Sequence, residues 1–367
     1  MLEWKKMWEV TTWDKKFYGL DKFMQPNVIK YHYYLANELQ DLEDTDGDIR
    51  ILYTTDKIAF VKEEDVLGTI SKGEVVTIPW GGNLSIKYYN GRFVTADNRI
   101  ATSNDVNYLS NKFLFYWMLS QYDVISSFYR GAGIKHPSMQ SVLNLDIPIP
   151  PLFEQNRIVT ILDTFTTSID NLKEQIELRR KQFEHYRNKL LDLEGKEGVE
   201  MKKLKDACEI RRGIRVVKKQ LKDNALYPVF QNSIAPMGYY DQYNRDGDMP
   251  YIICAGSSSG SVGYCYTPFW AADDCFTIEG RLVRRYIYYA LKKNNNNLFN
   301  LVRKGSMPRL PHEAIDNMVI PVPSLTEQQR IVVILDKFEA SIKNLEAQLD
   351  LRQKQYEYYR NKLLTFE

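Results

Sequence analysis

Residues 147–194 read IPIPPLFEQNRIVTILDTFTTSIDNLKEQIELRRKQFEHYRNKLLDLE, and residues 320–367 read IPVPSLTEQQRIVVILDKFEASIKNLEAQLDLRQKQYEYYRNKLLTFE. The two stretches align without a gap at an offset of 173, and 30 of the 48 paired positions are identical. The chain therefore holds two copies of one unit, and that repeat decides the architecture before any single element is assigned. The match extends backwards more weakly. Phe93-Val94-Thr95-Ala96-Asp97 answers Phe269-Trp270-Ala271-Ala272-Asp273, and Phe113-Leu114-Phe115-Tyr116 answers Tyr286-Ile287-Tyr288-Tyr289. Arg130-Gly131-Ala132 answers Lys304-Gly305-Ser306. The order is a globular domain at 1–146, a long helix at 147–194, a linker at 195–200, a second globular domain at 201–319 and a second long helix at 320–367. The first halves of the globular domains barely resemble each other.

Apolar residues in the first copy fall at Ile158, Leu162, Phe165, Ile169, Leu172, Ile176, Phe183, Tyr186, Leu190 and Leu193. The second copy gives Ile331, Leu335, Phe338, Ile342, Leu345, Leu349, Tyr356, Tyr359, Leu363 and Phe366. Steps of four and three alternate, with Arg179 and Arg352 filling the one missing slot, which is the signature of a coiled coil. A polar seam residue is either a partly exposed coil position or a device that fixes register. Ser324 and Glu327 read as a capping box. Pro151 suits a first helical turn. Each helix should be roughly 60 Å long. A six-residue linker spans at most ~20 Å, so the second helix must start near where the first one ends. That predicts an antiparallel pair with a pseudo-two-fold axis between two unlike globular domains.

The globular domains read as mixed α/β, giving an α+β chain overall. Val75–Ile78, Tyr251–Ile253 and Phe276–Ile278 are strand-like, 111–128 and 281–293 are aromatic helical segments, and Asn294–Asn297 reads as a loop tip. The chain has 367 residues, 44% hydrophobic and 26% charged, which excludes wholesale disorder. The longest aliphatic run is Ile331–Leu335, too short to cross a membrane. No signal-peptide pattern opens the sequence, so a cytoplasmic location is expected. Four cysteines (Cys208, Cys254, Cys265 and Cys275) form no C-x-x-C pair and read as free thiols. The four histidines have no zinc spacing, and no metal site is expected.

The net charge of +2 hides an asymmetry. Residues 201–319 hold 18 bases and 11 acids, a net of +7, while residues 1–146 hold 16 and 19, a net of −3. The acidity lies in Glu38–Asp65, with ten acids against three bases. A basic, aromatic-rich second domain points to a polyanion.

Gly256-Ser257-Ser258-Ser259-Gly260 matches the nucleophile elbow of serine hydrolases. Such an elbow needs an acid and then a histidine downstream, and only His312 follows, so the segment reads as a flexible polar loop. No phosphate loop and no Asn/Asp-Pro-Pro-Tyr/Phe segment occurs. No catalytic residue is assigned, and no cofactor is expected on this chain. Two matching loops each combine glycine with bases, one with Arg130, Lys135 and His136 and the other with Arg303, Lys304 and Arg309. Both suit phosphate contact. A further cluster holds Arg211, Arg212, Arg215, Lys218 and Lys219. Lys87, Tyr88 and Arg92, and Gln231, Asn232 and Ser233, offer side chains able to read base edges.

The Ile147-Pro-Ile-Pro-Pro-Leu-Phe-Glu-Gln and Ile320-Pro-Val-Pro-Ser-Leu-Thr-Glu-Gln blocks carry Arg157-Ile158 and Arg330-Ile331, and the helices close on Tyr186-Arg-Asn-Lys-Leu-Leu and Tyr359-Arg-Asn-Lys-Leu-Leu. This arrangement resembles the specificity subunit of type I restriction-modification systems. Tyr227-Pro-Val-Phe followed by the Gly256 segment looks like a target-recognition domain of that family. The first domain has no such Tyr-Pro-Val segment. The resemblance implies a non-catalytic, sequence-specific DNA-binding subunit. Each recognition domain would read one half of a bipartite asymmetric site in double-stranded DNA, and the helices would fix the spacing. Two methyltransferase subunits carrying S-adenosylmethionine would dock on it, with a restriction/translocase subunit as a further partner. Glu154, Gln155, Arg157 and Arg179, with Glu327, Gln328, Arg330 and Arg352, are the candidates for docking and coil contacts. The competing reading is a coiled-coil adaptor whose globular domains bind proteins. Salt-dependent binding to duplex DNA separates the two.

Overall fold

The computed structural model describes residues 2–366. The chain forms two compact units, one holding residues up to Asn171 and from Leu349 onward, the other Leu172–Gln348. Each unit thus combines one globular part with segments of both long helices.

The strands of the first unit are β1 (Glu3–Lys6), β2 (Thr11–Trp13), β3 (Ile49–Leu52), β4 (Ile58–Val61), β5 (Ser71–Pro79), β6 (Lys87–Thr95), β7 (Asn98–Ser103), β8 (Tyr129–Arg130), β9 (His136–Pro137) and β10 (Asp146–Ile149). Six of them form one sheet in the order β2-β7-β5-β6-β3-β4. The run Val75–Ile78, Thr77 included, is buried throughout because both faces of β5 are covered. Val76 and Ile78 pack with Phe113 and Trp117 of the helix Asn111–Ser120, while Val75 packs with Leu52, Phe93 and Ile100. The acidic stretch 38–65 builds β3, β4 and their flanks.

The second unit contains β11 (Glu200–Lys203), β12 (Cys208–Arg212), β13 (Tyr227–Phe230), β14 (Gly238–Tyr240), β15 (Met249–Ile253), β16 (Val262–Cys265), β17 (Trp270–Ala271), β18 (Cys275–Gly280) and β19 (Val319–Val322). Its main sheet runs β12-β18-β15-β16, which repeats β2-β7-β5-β6 of the first unit strand for strand. The β3-β4 pair is matched by β13-β14: β3 runs parallel to the end of β6 as β13 does to β17, the segments Phe93–Thr95 and Phe269–Ala271 that answer each other in the sequence. The first unit keeps all six strands in one sheet, whereas in the second β14-β13-β17 stands as a separate sheet. All four cysteines are free and buried. Burial pushes the Cys208 and Cys254 thiols up to about 12, which leaves them unreactive.

The proline-rich blocks are strands, not the first turns of the helices. Glu3 pairs with Ile149 and Lys6 with Asp146; Glu200 pairs with Val322 and Lys203 with Val319. Each pair is an isolated two-stranded ribbon, where prolines can sit because an edge strand leaves N–H groups unused. The ribbon brings the start of each globular part back to the beginning of its long helix. The matching openings Glu3-Trp-Lys-Lys and Glu200-Met-Lys-Lys show that the repeat reaches the first residues of both parts.

The long helices are Leu152–Leu190 and Leu325–Leu364. Pro151 stands just before the first helix, its carbonyl accepting from the Glu154 and Gln155 N–H groups at 2.8 and 3.1 Å. At the second start, Ser324 Oγ accepts from Glu327 N at 3.3 Å. The reciprocal half of the expected capping box is not made, because the Glu327 carboxylate turns forward onto Arg330. Within the second unit Arg180 meets Glu346 and Tyr186 stacks on Phe338; as one number rises the other falls, so the helices run antiparallel. In the first unit Phe165 stacks on Tyr359, the same pair with the roles of the helices exchanged. The ring centroids lie 5.3 Å apart in both stacks.

Two local expectations change. Asn295, Asn296 and Asn297 open a short helix, Asn295–Asn300, with Asn294 as the cap between it and Arg284–Lys293. The expected loop tip is helical because Leu298 is fully buried and pulls the segment inward. Gly256–Gly260 is a packed turn rather than a flexible loop. Ser259 is buried and donates to the Cys254 carbonyl at 3.0 Å, and Gly260 N donates to Ile253 O at 2.7 Å.

Candidate nucleic-acid interface and the helix latch

Each globular part is fastened to its long helix by the same side chains. Gln155 is fully buried: its Oε1 accepts from Ser110 N at 2.9 Å, and its Nε2 donates to the Tyr108 and Pro150 carbonyls at 2.8 and 2.9 Å. Gln328 repeats this with Val283 N at 2.9 Å and the Pro323 carbonyl at 2.8 Å. About two helical turns further on, Tyr116 donates to Asp163 and Tyr289 donates to Asp336, each at 2.6 Å. A cation completes each group. Lys112 lies 2.7 Å from Asp163, and Arg285 lies 2.6 Å from both Asp336 and Glu339. The Arg285 guanidinium also sits over the rings of Tyr264, Tyr288 and Tyr289, at 4.7 to 4.8 Å. Burial opposes its charge, but the two carboxylates outweigh burial and hold its proton more tightly than usual.

These contacts correct the expected role of Gln155 and Gln328. A fully buried amide spent on its own chain has nothing left to offer a partner. Glu154 and Glu327 stay at the surface, paired with Arg157 and Arg330 three residues on. Arg179 and Arg352 are half-buried, with their guanidinium groups over Phe338 and Phe165 at 5.9 and 5.6 Å. Each therefore flanks the ring of the facing helix within its own unit.

The two basic loops have one construction. In the first unit β8 and β9 form a hairpin with Arg130 opposite His136, and Gly82 N donates to Lys135 O at 2.9 Å. In the second, Arg303 stands opposite Arg309, and Gly256 N donates to Pro308 O at 3.0 Å. In both, the hairpin is stitched to the turn after a central strand. A Cβ on Gly81 would lie 2.9 Å from the exposed Ile134 side chain and 3.4 Å from the His136 ring, so a larger residue there must displace the side chains of the hairpin. Arg130, Lys135, Arg303 and Lys304 are exposed, and none has an ion partner among the described residues.

A groove of about 470 Å³ opens in the second unit, lined among others by Arg215, Lys218, Gln231, Asn232 and Ser233. It brings together two clusters that lie some fifteen residues apart in the sequence. The side-chain amides of Gln231 and Asn232 have no hydrogen-bond partner among the described residues. Behind the groove, Gly213 is pinned: a Cβ there would lie 2.1 Å from Ala272 O. Arg245, missed in the sequence, is buried and donates to Thr277 Oγ1 at 2.6 Å and to the Arg212 carbonyl at 3.1 Å. It props the backbone of the basic strand. Arg212 donates to the Asp273 carbonyl, and Lys219 is exposed.

Four of the expected contact residues have partners within the chain. Lys87 donates to the carbonyls of Tyr53 and Thr55, and burial pushes its pKa down to about 8. Tyr88 donates to Glu74 at 2.6 Å and packs on Phe115, with Lys112 over its ring. Arg92 pairs with Glu63, with Asp48 at 3.8 Å. Arg211 lies between Glu209 and Glu279, at 2.7 and 3.7 Å. Sheet position and neighbouring carboxylates, invisible in a linear charge count, give these groups partners within the chain.

Two tandem mixed α/β units, each latched to an antiparallel helix pair and each bearing a basic hairpin, define a duplicated recognition module. The chain belongs to the type I restriction-modification DNA specificity domain family, whose profile matches residues 15–179 and 196–351. As a member of it, the chain serves the DNA sequence specificity of a type I restriction-modification system. It is 28% identical over 345 residues to a Haemophilus influenzae protein named as a type I restriction enzyme specificity subunit, covering 83% of this chain and 86% of that one. It is 27% identical over 310 residues to the Escherichia coli EcoR124I/EcoR124II specificity subunit, covering 73% and 74%. The crystal structure of a type I restriction-modification S subunit from M. genitalium shares the fold, with a TM-score of 0.76 at 17% identity over 100% of this chain and 97% of that one. No helix among the described residues is long and apolar enough to cross a membrane.

Proposed function

We propose that each unit reads one half of a bipartite, asymmetric site in double-stranded DNA, while the long helices set the spacing and dock two methyltransferase subunits. The observation that carries this reading is the pairing of identical latches with unlike surfaces. Gln155 and Gln328, Tyr116 and Tyr289, and Asp163 and Asp336 repeat, whereas the acidic stretch 38–65 around β3 and β4 and the basic groove beside β13 do not. Two copies of one partner need a repeated surface; two different half-sites need two different reading surfaces. The exposed Glu154–Arg157 and Glu327–Arg330 pairs offer the repeated surface. Arg130 and Lys135, and Arg303, Lys304 and the Arg215 groove, offer the phosphate and base contacts.

The chain itself transfers no methyl group and cuts no DNA. S-adenosylmethionine belongs to the methyltransferase subunits, and a restriction/translocase subunit joins through them. The test is duplex binding by the full chain as salt is raised. Affinity should fall linearly on a log–log plot, with a slope of about −0.9 per phosphate contacted. Binding that ignores salt, or methyl transfer by the purified chain alone, contradicts the reading.

A further inference from the structure

The two basic hairpins share a backbone and differ in chemistry at one position. His136 and Arg309 occupy the same place, opposite Arg130 and Arg303. The His136 ring lies against Trp80, centroids 5.2 Å apart, and its Nδ1 is 2.7 Å from the Trp80 carbonyl oxygen. A carbonyl only accepts, so Nδ1 carries the hydrogen. In the neutral ring Nε2 is then left as an acceptor. Trp80 is itself fixed from behind. Its backbone N–H donates to Asp97 O at 3.0 Å, and the fully buried Arg99 guanidinium lies 4.7 Å over its ring. His136 is exposed, so this locked acceptor faces solvent between two exposed cations, Arg130 and Lys135. Arg309 is a donor in every state. One of its nitrogens is held by Asp274 at 3.0 Å, and the guanidinium remains more than half exposed.

From this geometry, and resting on the proposed reading of DNA by both units, we infer that the hairpins read opposite hydrogen-bond polarity in the major groove. His136 accepts from an exocyclic amino group, N6 of adenine or N4 of cytosine. Arg309 donates to the acceptor edge of guanine, N7 and O6. The loops 80–82 and 254–256 act as the rigid backing that aims each side chain.

The experiment selects bound duplexes from a pool with randomised half-sites, using the full chain at pH 8. Wild type, His136→Arg, His136→Ala and Arg309→His are compared, with equal melting temperatures as the check on folding. Wild type should prefer adenine or cytosine at one position of one half-site, by roughly fivefold to tenfold. The sequenced base says which amino group is read. His136→Arg should move that position to guanine and leave the other half-site unchanged. His136→Ala should flatten the preference there while duplex binding persists, and Arg309→His should flatten or invert one guanine position in the opposite half. Identical base preferences in wild type and all three variants, with selective binding intact, overturn this inference and leave the proposed function standing. No selective binding by wild type overturns both.

Discussion

In the first unit, Asp163 receives a lysine and a tyrosine, and both ions of that pair are about one-third exposed. In the second, Asp336 receives an arginine and a tyrosine, and the arginine side chain is only 11% exposed beneath a set of tyrosine rings. The design is shared while the depth of burial is not. The difference shows how a duplicated protein diverges without losing its partner. Residues that latch a globular part onto its helix keep their identity or their charge. Residues that only extend the sheet are free to change. The β3-β4 extension became acidic, and the stretch around β13 became a basic groove.

Truncating the two cations should therefore have unequal effects. Arg285→Ala strips a buried cation from two carboxylates and should cost about 3 kcal/mol in chemical denaturation. Lys112→Ala removes a partner that is about one-third exposed and should cost less than about 1 kcal/mol. Equal losses would mean that the deeper burial of Arg285 contributes nothing. The amides should behave alike instead. Gln155→Ala and Gln328→Ala each orphan buried backbone groups, and each should cost about 2–3 kcal/mol. A loss confined to one of them would break the equivalence of the latches.

Lys87 gives the first unit a pH dependence. Burial lowers its pKa in the folded chain to about 8, against an ordinary value of 10.5. Protonation therefore favours the unfolded chain. Between those values the unfolded chain holds a proton that the folded one has released, so stability rises with pH across that window. Lys87→Met lacks this rise. The difference in denaturation free energy between wild type and variant should shift toward wild type by about 1–2 kcal/mol, after allowing for partial exposure. A flat difference would show that the ammonium is solvated. The smallest effect is expected at the helix starts. Arg157→Ala and Arg330→Ala should leave the denaturation midpoint unchanged and weaken co-purification of the methyltransferase subunits. Unchanged co-purification would remove these pairs from the docking surface.

Much of this was legible in the sequence. The heptad pattern placed Ile158, Leu162, Ile331 and Leu335 in the seam, and all four are buried. The antiparallel direction followed from the reach of the linker. Strands at Val75–Ile78, Tyr251–Ile253 and Phe276–Ile278 were marked by β-branched and aromatic runs. The prolines of the Ile-Pro-Ile-Pro block misled, because their partners Trp4 and Met201 lie more than a hundred residues away in the sequence. The site was read less well. Arg130, Lys135, Arg303 and Arg215 are exposed where glycine and charge suggested. Lys87, Arg92 and Arg211 are paired within the chain, because their partners come from turns beside β3 and β4, from β18 or from the residue two places back. Gln155 looked like a surface motif because its neighbours Glu154 and Arg157 are one. Only the helix phase turns it inward. Arg99 and Arg245 gave no signal, since nothing in a linear sequence marks a buried arginine.

The central claim is that one unit reads one half-site. Residues 204–318, bounded by the β11-β19 ribbon, can be exchanged for the equivalent segment of another specificity subunit, leaving both long helices intact. The chimaera is then expressed with its methyltransferase subunits, and methylated positions across a genome are sequenced. The account predicts that one half of the recognised site changes, while the other half and the spacer length stay the same. A site altered in both halves, or in neither, would contradict it.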